Sequence, residues 1–219
     1  MSRKAGILLP IFSLPSEYGI GTLGRAAYRW VDFLNDAHQK LWQVLPVGPT
    51  SYGDSPYQSF SAFAGNPYFI DLELLCDQKL LTKDECTAIQ WEYTSKKIEY
   101  KILYDNRFSL LRKAYQRYPM KQSLNEFIKE NAWAHDYALF MAIKDSQMGK
   151  SWQEWPELLR NRNFEALAKA DRDYHDDILF YVFLQKMFFE QWENLKQYAN
   201  AKDVQICIYR CSSDACTEF

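Results

Sequence analysis

The side chains with the most chemistry to offer lie in one run. Residues 46–72 read PVGPTSYGDSPYQSFSAFAGNPYFIDL, where Tyr52, Asp54, Ser55, Tyr57, Gln58 and Asn66 crowd between glycines and prolines. Such a run offers flat rings with hydroxyl tips, hydrogen-bonding side chains and one carboxylate. Sugars present the matching surface, with apolar C–H faces and hydroxyl edges. A tightly packed structural loop uses the same residues, so the types alone leave both readings open. Tyr100 and Tyr104, in IEYKILYDNR at residues 98–107, read on their own as ordinary helix packing.

Other chemistry is thin. The five cysteines form no C-x-x-C pair, and Cys76, Cys86, Cys207, Cys211 and Cys216 do not make a disulfide or zinc framework. His38, His135 and His175 are isolated in helical stretches and read as structural or surface residues. No phosphate loop, metal constellation or Ser/His/Asp set is present, so neither a metal nor a cofactor is expected. The net charge of -2, from mixed basic and acidic residues, gives no reason to expect nucleic acid or an anionic membrane as partner. The seven Trp, fifteen Tyr and fourteen Phe exceed what a core of this size needs. Aromatic-rich packing explains them, and so does carbohydrate binding.

The elements that must position the run are legible from periodicity. Residues 5–12 (AGILLPIF) form an apolar run expected as a strand buried on both faces. The order of basic then apolar residues at the start is that of a signal peptide. Pro10 and Pro15 interrupt it, so a strand and a cytoplasmic location are expected instead. Apolar residues then recur at helical spacing over 23–38, with Thr22 as the expected N-cap. LWQVLPV, residues 41–47, is a second strand. Strand, helix and strand in this order make a parallel βαβ unit. Residues 48–71 follow the C-terminal end of its second strand, where α/β folds carry their sites. A helical block follows to about residue 170, then a strong apolar helix over 176–199 and a third strand over 204–209.

The run at 52–67 resembles the signature loop of glycoside hydrolase family 77, the amylomaltase-type 4-α-glucanotransferases. AGILLPIFSLPSEYGIGTLG and LWQVLPVGPT resemble the family's opening strand, its Pro–Gly loop and its second strand. DYALFMAIK, WQEWP and FFEQWENLKQYAN also fit, so the resemblance covers about residues 5 to 206. It implies an α/β fold, the first three strands of an incomplete (β/α)8 TIM barrel with a large, mainly α-helical insertion. The expected division is 1–75 for the first two strands and the substrate loop, 76–175 for the inserted subdomain, 176–209 for a barrel helix and the third strand, and 210–219 for an atypical tail.

The resemblance also implies a retaining double displacement that moves α-1,4-glucan segments between chains. Its two carboxylates would stand about 5–5.5 Å apart. Ser55 and Tyr57 match family positions lining the cleft, with Asp54 beside them. Tyr52 and Tyr104 match a pair forming a second glucan-binding site. The implied partners are α-1,4-glucans and maltooligosaccharides. The family's nucleophile, acid/base and stabilising carboxylates match nothing in residues 1–219, so no catalytic residue is expected in this chain. The end, VQICIYRCSSDACTEF, departs from the family pattern after its first residues, as a frameshifted or truncated reading frame would. Three parallel strands cannot close a barrel, so an open edge and poor solubility are expected. The alternatives are a non-catalytic α-glucan-binding fragment and a nonfunctional remnant.

Overall fold

The computed structural model describes residues 3–50, 54–91 and 97–208. Its chain order is β1 (Gly6–Leu8), α1 (Arg25–Asp36), β2 (Leu41–Val44), α2 (Leu72–Asp77), α3 (Lys83–Thr87), α4 (Tyr100–Arg117), α5 (Lys121–Glu130), α6 (Ala132–Ser146), α7 (Glu157–Arg160), α8 (Phe164–Asp173), α9 (His175–Ala201) and β3 (Gln205–Ile208). The described strands form one parallel sheet in the order β1-β2-β3. This is the fold class expected from the sequence, with the third strand beside the second.

β1 is shorter and more open than the apolar run 5–12 predicts. Leu9 still donates to Gln43 O at 2.9 Å, but Pro10 has no N–H to continue the ladder, and Ile11–Ser13 coil into a 3-10 turn. Leu8 is half exposed, because β1 lies at the sheet's edge. The middle strand alternates: Trp42 and Val44 are fully buried, whereas Leu41 and Gln43 are partly open. Trp42 also donates its indole N–H to Leu9 O at 2.8 Å, fixing β2 against the residue after β1.

α1 buries Ala27, Val31 and Leu34 on one stripe. Its N-cap is Gly24, not the expected Thr22, and no side chain caps it. Thr22 instead donates its hydroxyl to Asp71 Oδ2 at 2.5 Å, in a buried pair. A Cβ on Gly24 would stand 1.9 Å from that same carboxylate, so the side-chain oxygen that a Ser or Thr cap supplies has no room.

The chain divides into two compact units: residues 1–117 with 187–219, and residues 118–186. The first holds the sheet, α1 to α4 and the later part of α9. The second holds α5 to α8 and the earlier part of α9. α9 is apolar on nearly every face in its first half, as its sequence predicts, and Ile178, Phe180–Leu184, Met187 and Phe188 are buried. Within the second unit Tyr118 packs on Phe183 with ring centroids 5.2 Å apart, and Tyr181 donates to Asp145 at 2.5 Å.

Candidate functional site

The long connection after β2 is held at both ends. At its start, Thr50 bridges Ser59 and Asn66 donates to Val47 O at 2.8 Å. At its end, the Asn66 side chain caps the 3-10 turn Pro67–Phe69 by accepting from Tyr68 N at 3.0 Å. Asp71 then caps α2 by accepting from Leu74 N at 3.0 Å. The Asp71 backbone is clasped by Gln191 of α9, which accepts from its N–H at 2.7 Å and donates to its C=O at 3.3 Å. Gly65 completes the anchorage: a Cβ there would fall 2.0 Å from the Phe188 ring, so only glycine lets the loop lie against that ring.

The serines in the loop serve its shape. Ser55 Oγ accepts from Tyr57 N at 3.3 Å, and Ser61 Oγ accepts from Ala64 N at 3.0 Å. These side-chain-to-backbone bonds replace regular secondary structure over the loop. They leave Tyr57 half exposed.

Asp54 stands out. Its backbone has φ +55, a left-handed conformation uncommon for residues with a Cβ, though less so for Asp than for most. Its Oδ1 is buried and has no hydrogen-bond partner. Burial pushes its carboxyl above the ordinary aspartate range. The charge is felt nearby: burial first, and Asp54 second, push the Tyr100 hydroxyl up, and the same two causes act on Tyr68. A strained backbone that holds an unpaired carboxylate oxygen out of water is poised to accept a hydrogen bond from outside the protein.

Tyr104 joins this group from α4. Its ring is half exposed and packs on Tyr68 (centroids 5.9 Å) and Tyr100 (6.3 Å). Tyr68 also meets Phe108 edge-on at 5.7 Å. The structure thus places Asp54 and Tyr104 around the shared rings of Tyr68 and Tyr100, with Ser55 and Tyr57 following in the loop. Tyr52 lies outside the described residues.

Arg107, one turn beyond Tyr104, organises the surroundings and was not among the expected site residues. It is fully buried and donates to Tyr18 O at 3.3 Å, Tyr68 O at 3.1 Å and Ile70 O at 2.5 Å. Its guanidinium lies 5.8 Å from the Trp91 ring centroid. Burial pulls its pKa down to about 10, against the opposing pull of Asp71, so it stays cationic at neutral pH. One side chain therefore ties the loop after β1 and the end of the long loop to the helix that carries Tyr100 and Tyr104. Its signal was in the sequence: Arg107 falls in register with the buried Leu103, Leu110, Leu111 and Ala114 of α4. A charged residue at a core position must find partners there.

Among the described residues no group of three or more His, Cys, Asp or Glu side chains could hold a metal ion. No described helix is long and apolar enough to cross a membrane. Cys76 and Cys86 sit with their thiol sulfurs 3.9 Å apart.

Fold and loop together define the opening portion of a parallel (β/α)8 barrel with a helical insertion, carrying its long connection after the second strand. The chain belongs to the 4-alpha-glucanotransferase family, glycoside hydrolase family 77, whose profile matches residues 9–212. It is 47% identical over 199 residues to a 4-alpha-glucanotransferase of Clostridium butyricum, covering 90% of this chain and 41% of the relative. A 4-alpha-glucanotransferase of Aquifex aeolicus is 43% identical over 207 residues, covering 93% of this chain and 42% of the relative. An amylomaltase from Streptococcus agalactiae, solved in complex with acarbose, superposes with a TM-score of 0.91 at 40% identity, over 94% of this chain and 43% of that one. The chain thus spans about two-fifths of the length of the relatives it matches.

Proposed function

We propose that this chain supplies one wall of the α-glucan site of a 4-α-glucanotransferase, which moves α-1,4-glucan segments between maltooligosaccharide, starch or glycogen chains. The observation that carries the reading is Asp54, whose buried, unpartnered carboxylate oxygen sits on a strained backbone beside the Tyr68–Tyr100–Tyr104 rings. A sugar ring stacked on an exposed tyrosine brings hydroxyls to such an acceptor. Ser55 and Tyr57 line the same wall. Tyr104 contributes to a second glucan-binding surface, the role the family resemblance gives it together with Tyr52.

Binding and chemistry separate in this chain. A retaining transfer needs two carboxylates about 5–5.5 Å apart, one attacking and one exchanging the proton. A second carboxylate so close to Asp54 would raise its pKa by repulsion. Burial is what raises Asp54, and no carboxylate in residues 1–219 matches the family's catalytic pair. The chain alone therefore binds glucan without transferring it, and its role in catalysis is to hold substrate for carboxylates supplied from outside residues 1–219. A cytoplasmic setting is part of the same proposal.

The test is a titration of the 219-residue chain with maltoheptaose, alongside incubation with maltotriose. Binding is expected, weakened at least about tenfold by Tyr104→Ala, the order expected for loss of a stacked ring worth about 1.5 kcal/mol. No glucose and no longer oligomers should form from maltotriose. Unchanged affinity in Tyr104→Ala would sink the binding reading, and glucose release would sink the division between binding and chemistry. A chain without a cooperative melt would favour the remnant reading.

A further inference from the structure

The second compact unit carries an aromatic hollow of its own. Leu139, Phe140 and Ile143 of α6 form one side, and Trp152, Trp155, Leu159 and Leu167 enclose a cavity of about 270 Å³. Its floor is fixed. Phe140 and Trp155 pack with ring centroids 5.2 Å apart, and Trp155, nearly buried, donates its indole N–H to Lys150 O at 3.2 Å. Lys144 donates to Gly149 O and Lys150 O at 2.6 and 3.1 Å, which locks the turn leading into Trp152. Trp152 itself is 51% exposed at the opening.

The rim is polar and of both signs. Arg162 pairs with Asp136 at 3.5 Å, and Arg160 stands beside them, donating to Gln153 O at 3.3 Å. Arg162 holds that place at φ +53, a left-handed backbone that a residue with a Cβ seldom adopts. A carboxylate and a guanidinium already paired at the edge do not select a strongly charged ligand. The apolar, aromatic floor suits a ligand with a flat apolar face, and the polar rim can bond hydroxyls at its margin. The cavity is near the small end of ligand sites, room for one or two rings and too little for a packed helix.

We propose that this hollow is an ancillary α-glucan site, in which a sugar ring stacks on Trp152 and bonds through its hydroxyls to Asp136 and Arg160. The assignment of α-glucan as the ligand rests on the proposed function, whereas the fit of a neutral ring with a flat apolar face and a polar edge rests on the hollow itself. It gives the chain a sugar-binding surface on each compact unit, with Tyr104 on one and Trp152 on the other.

The test is calorimetric titration of the 219-residue chain with maltotriose, reading stoichiometry. The unmodified chain should bind two equivalents, Tyr104→Ala and Trp152→Ala one each, and the double variant none. Trp152→Tyr, which keeps a ring, should retain the second equivalent. Trp152 is half exposed, so its variants should keep the circular dichroism and melting point of the parent. If Trp152→Ala disturbs folding, Asp136→Ala on the rim reads the same site and should weaken it several-fold. Wild-type stoichiometry and affinity in Trp152→Ala would overturn the proposal, whatever Tyr104→Ala does. Loss on Trp152→Ala with no change on Tyr104→Ala would uphold this site and remove the tyrosine one.

Discussion

At the residue scale, Asp54 combines an uncommon backbone conformation with an unsatisfied side chain. Its backbone is left-handed, and one oxygen is buried without a partner. Burial raises its pKa, so the folded chain binds that proton more tightly than the unfolded chain. The sign follows from linkage. The contribution of Asp54 to stability is most favourable below the unfolded aspartate pKa, and it is lost as pH rises through the higher folded value. Asn has nearly the same shape, tolerates the left-handed region better and carries no charge. Asp54→Asn should therefore melt at a higher temperature than the parent at pH 7, with the gain shrinking as pH falls below about 4. Thermal melts of both chains across that range check it. The same variant should bind maltoheptaose more weakly at pH 7, because a neutral amide is a poorer acceptor than a carboxylate. Stability gained at the expense of binding is the mark of a residue kept for its ligand.

At the scale of elements, α4 does two jobs with one face. Near its N-terminal end Tyr104 packs on both Tyr68 and Tyr100, and Arg107 binds three backbone carbonyls from two other segments one turn later. Tyr18 and Ile70 lie outside regular structure and Tyr68 in a single 3-10 turn, and Arg107 supplies a donor to all three carbonyls. Arg107→Met fills much of the same space but leaves several buried acceptors unsatisfied, each at a cost of about 1–3 kcal/mol. The expected outcome is destabilisation by several kcal/mol in urea denaturation, with Arg107→Lys intermediate because an ammonium keeps the charge but not the planar fork. Hydrogen exchange should rise first at residues 66–71 and near Tyr18. Protection unchanged in those segments would show that the loops are held without Arg107.

At the scale of the whole molecule, α9 runs without interruption through the boundary between the two compact units, which falls between Lys186 and Met187. Phe183 before the boundary and Phe188 after it are both buried. A proline at the boundary removes a helix hydrogen bond and clashes with the preceding turn, costing about 3 kcal/mol or more. Lys186→Pro should lower hydrogen-exchange protection in α6 and in β2 alike, since each unit relies on its own part of the helix. Loss confined to one unit would show that the two fold independently of α9's continuity.

The sequence by itself determined the family, the parallel βαβ order, the long loop and the buried helix. Each of these is written in local signals: apolar runs of strand length, a 3.6-residue stripe, and a Gly- and Pro-punctuated motif. It also marked Asp54, Ser55, Tyr57 and Tyr104 as candidates, through the family resemblance. It misassigned Thr22 as a cap and over-extended β1. The first error arises because a capping hydroxyl and a buried hydroxyl look alike until Asp71, 49 residues away, is placed against Gly24. The second has two sources: the missing N–H of Pro10, which the sequence shows, ends the ladder, and the edge position of β1, which only the neighbouring strand decides, opens its face. Only the tertiary structure brought Tyr68 against Tyr104 and within reach of Asp54's charge, gave Arg107 its three carbonyls and closed a hollow around Trp152. Those arrangements join residues far apart in the chain, and spacing along a sequence carries no record of which distant backbone a side chain will meet.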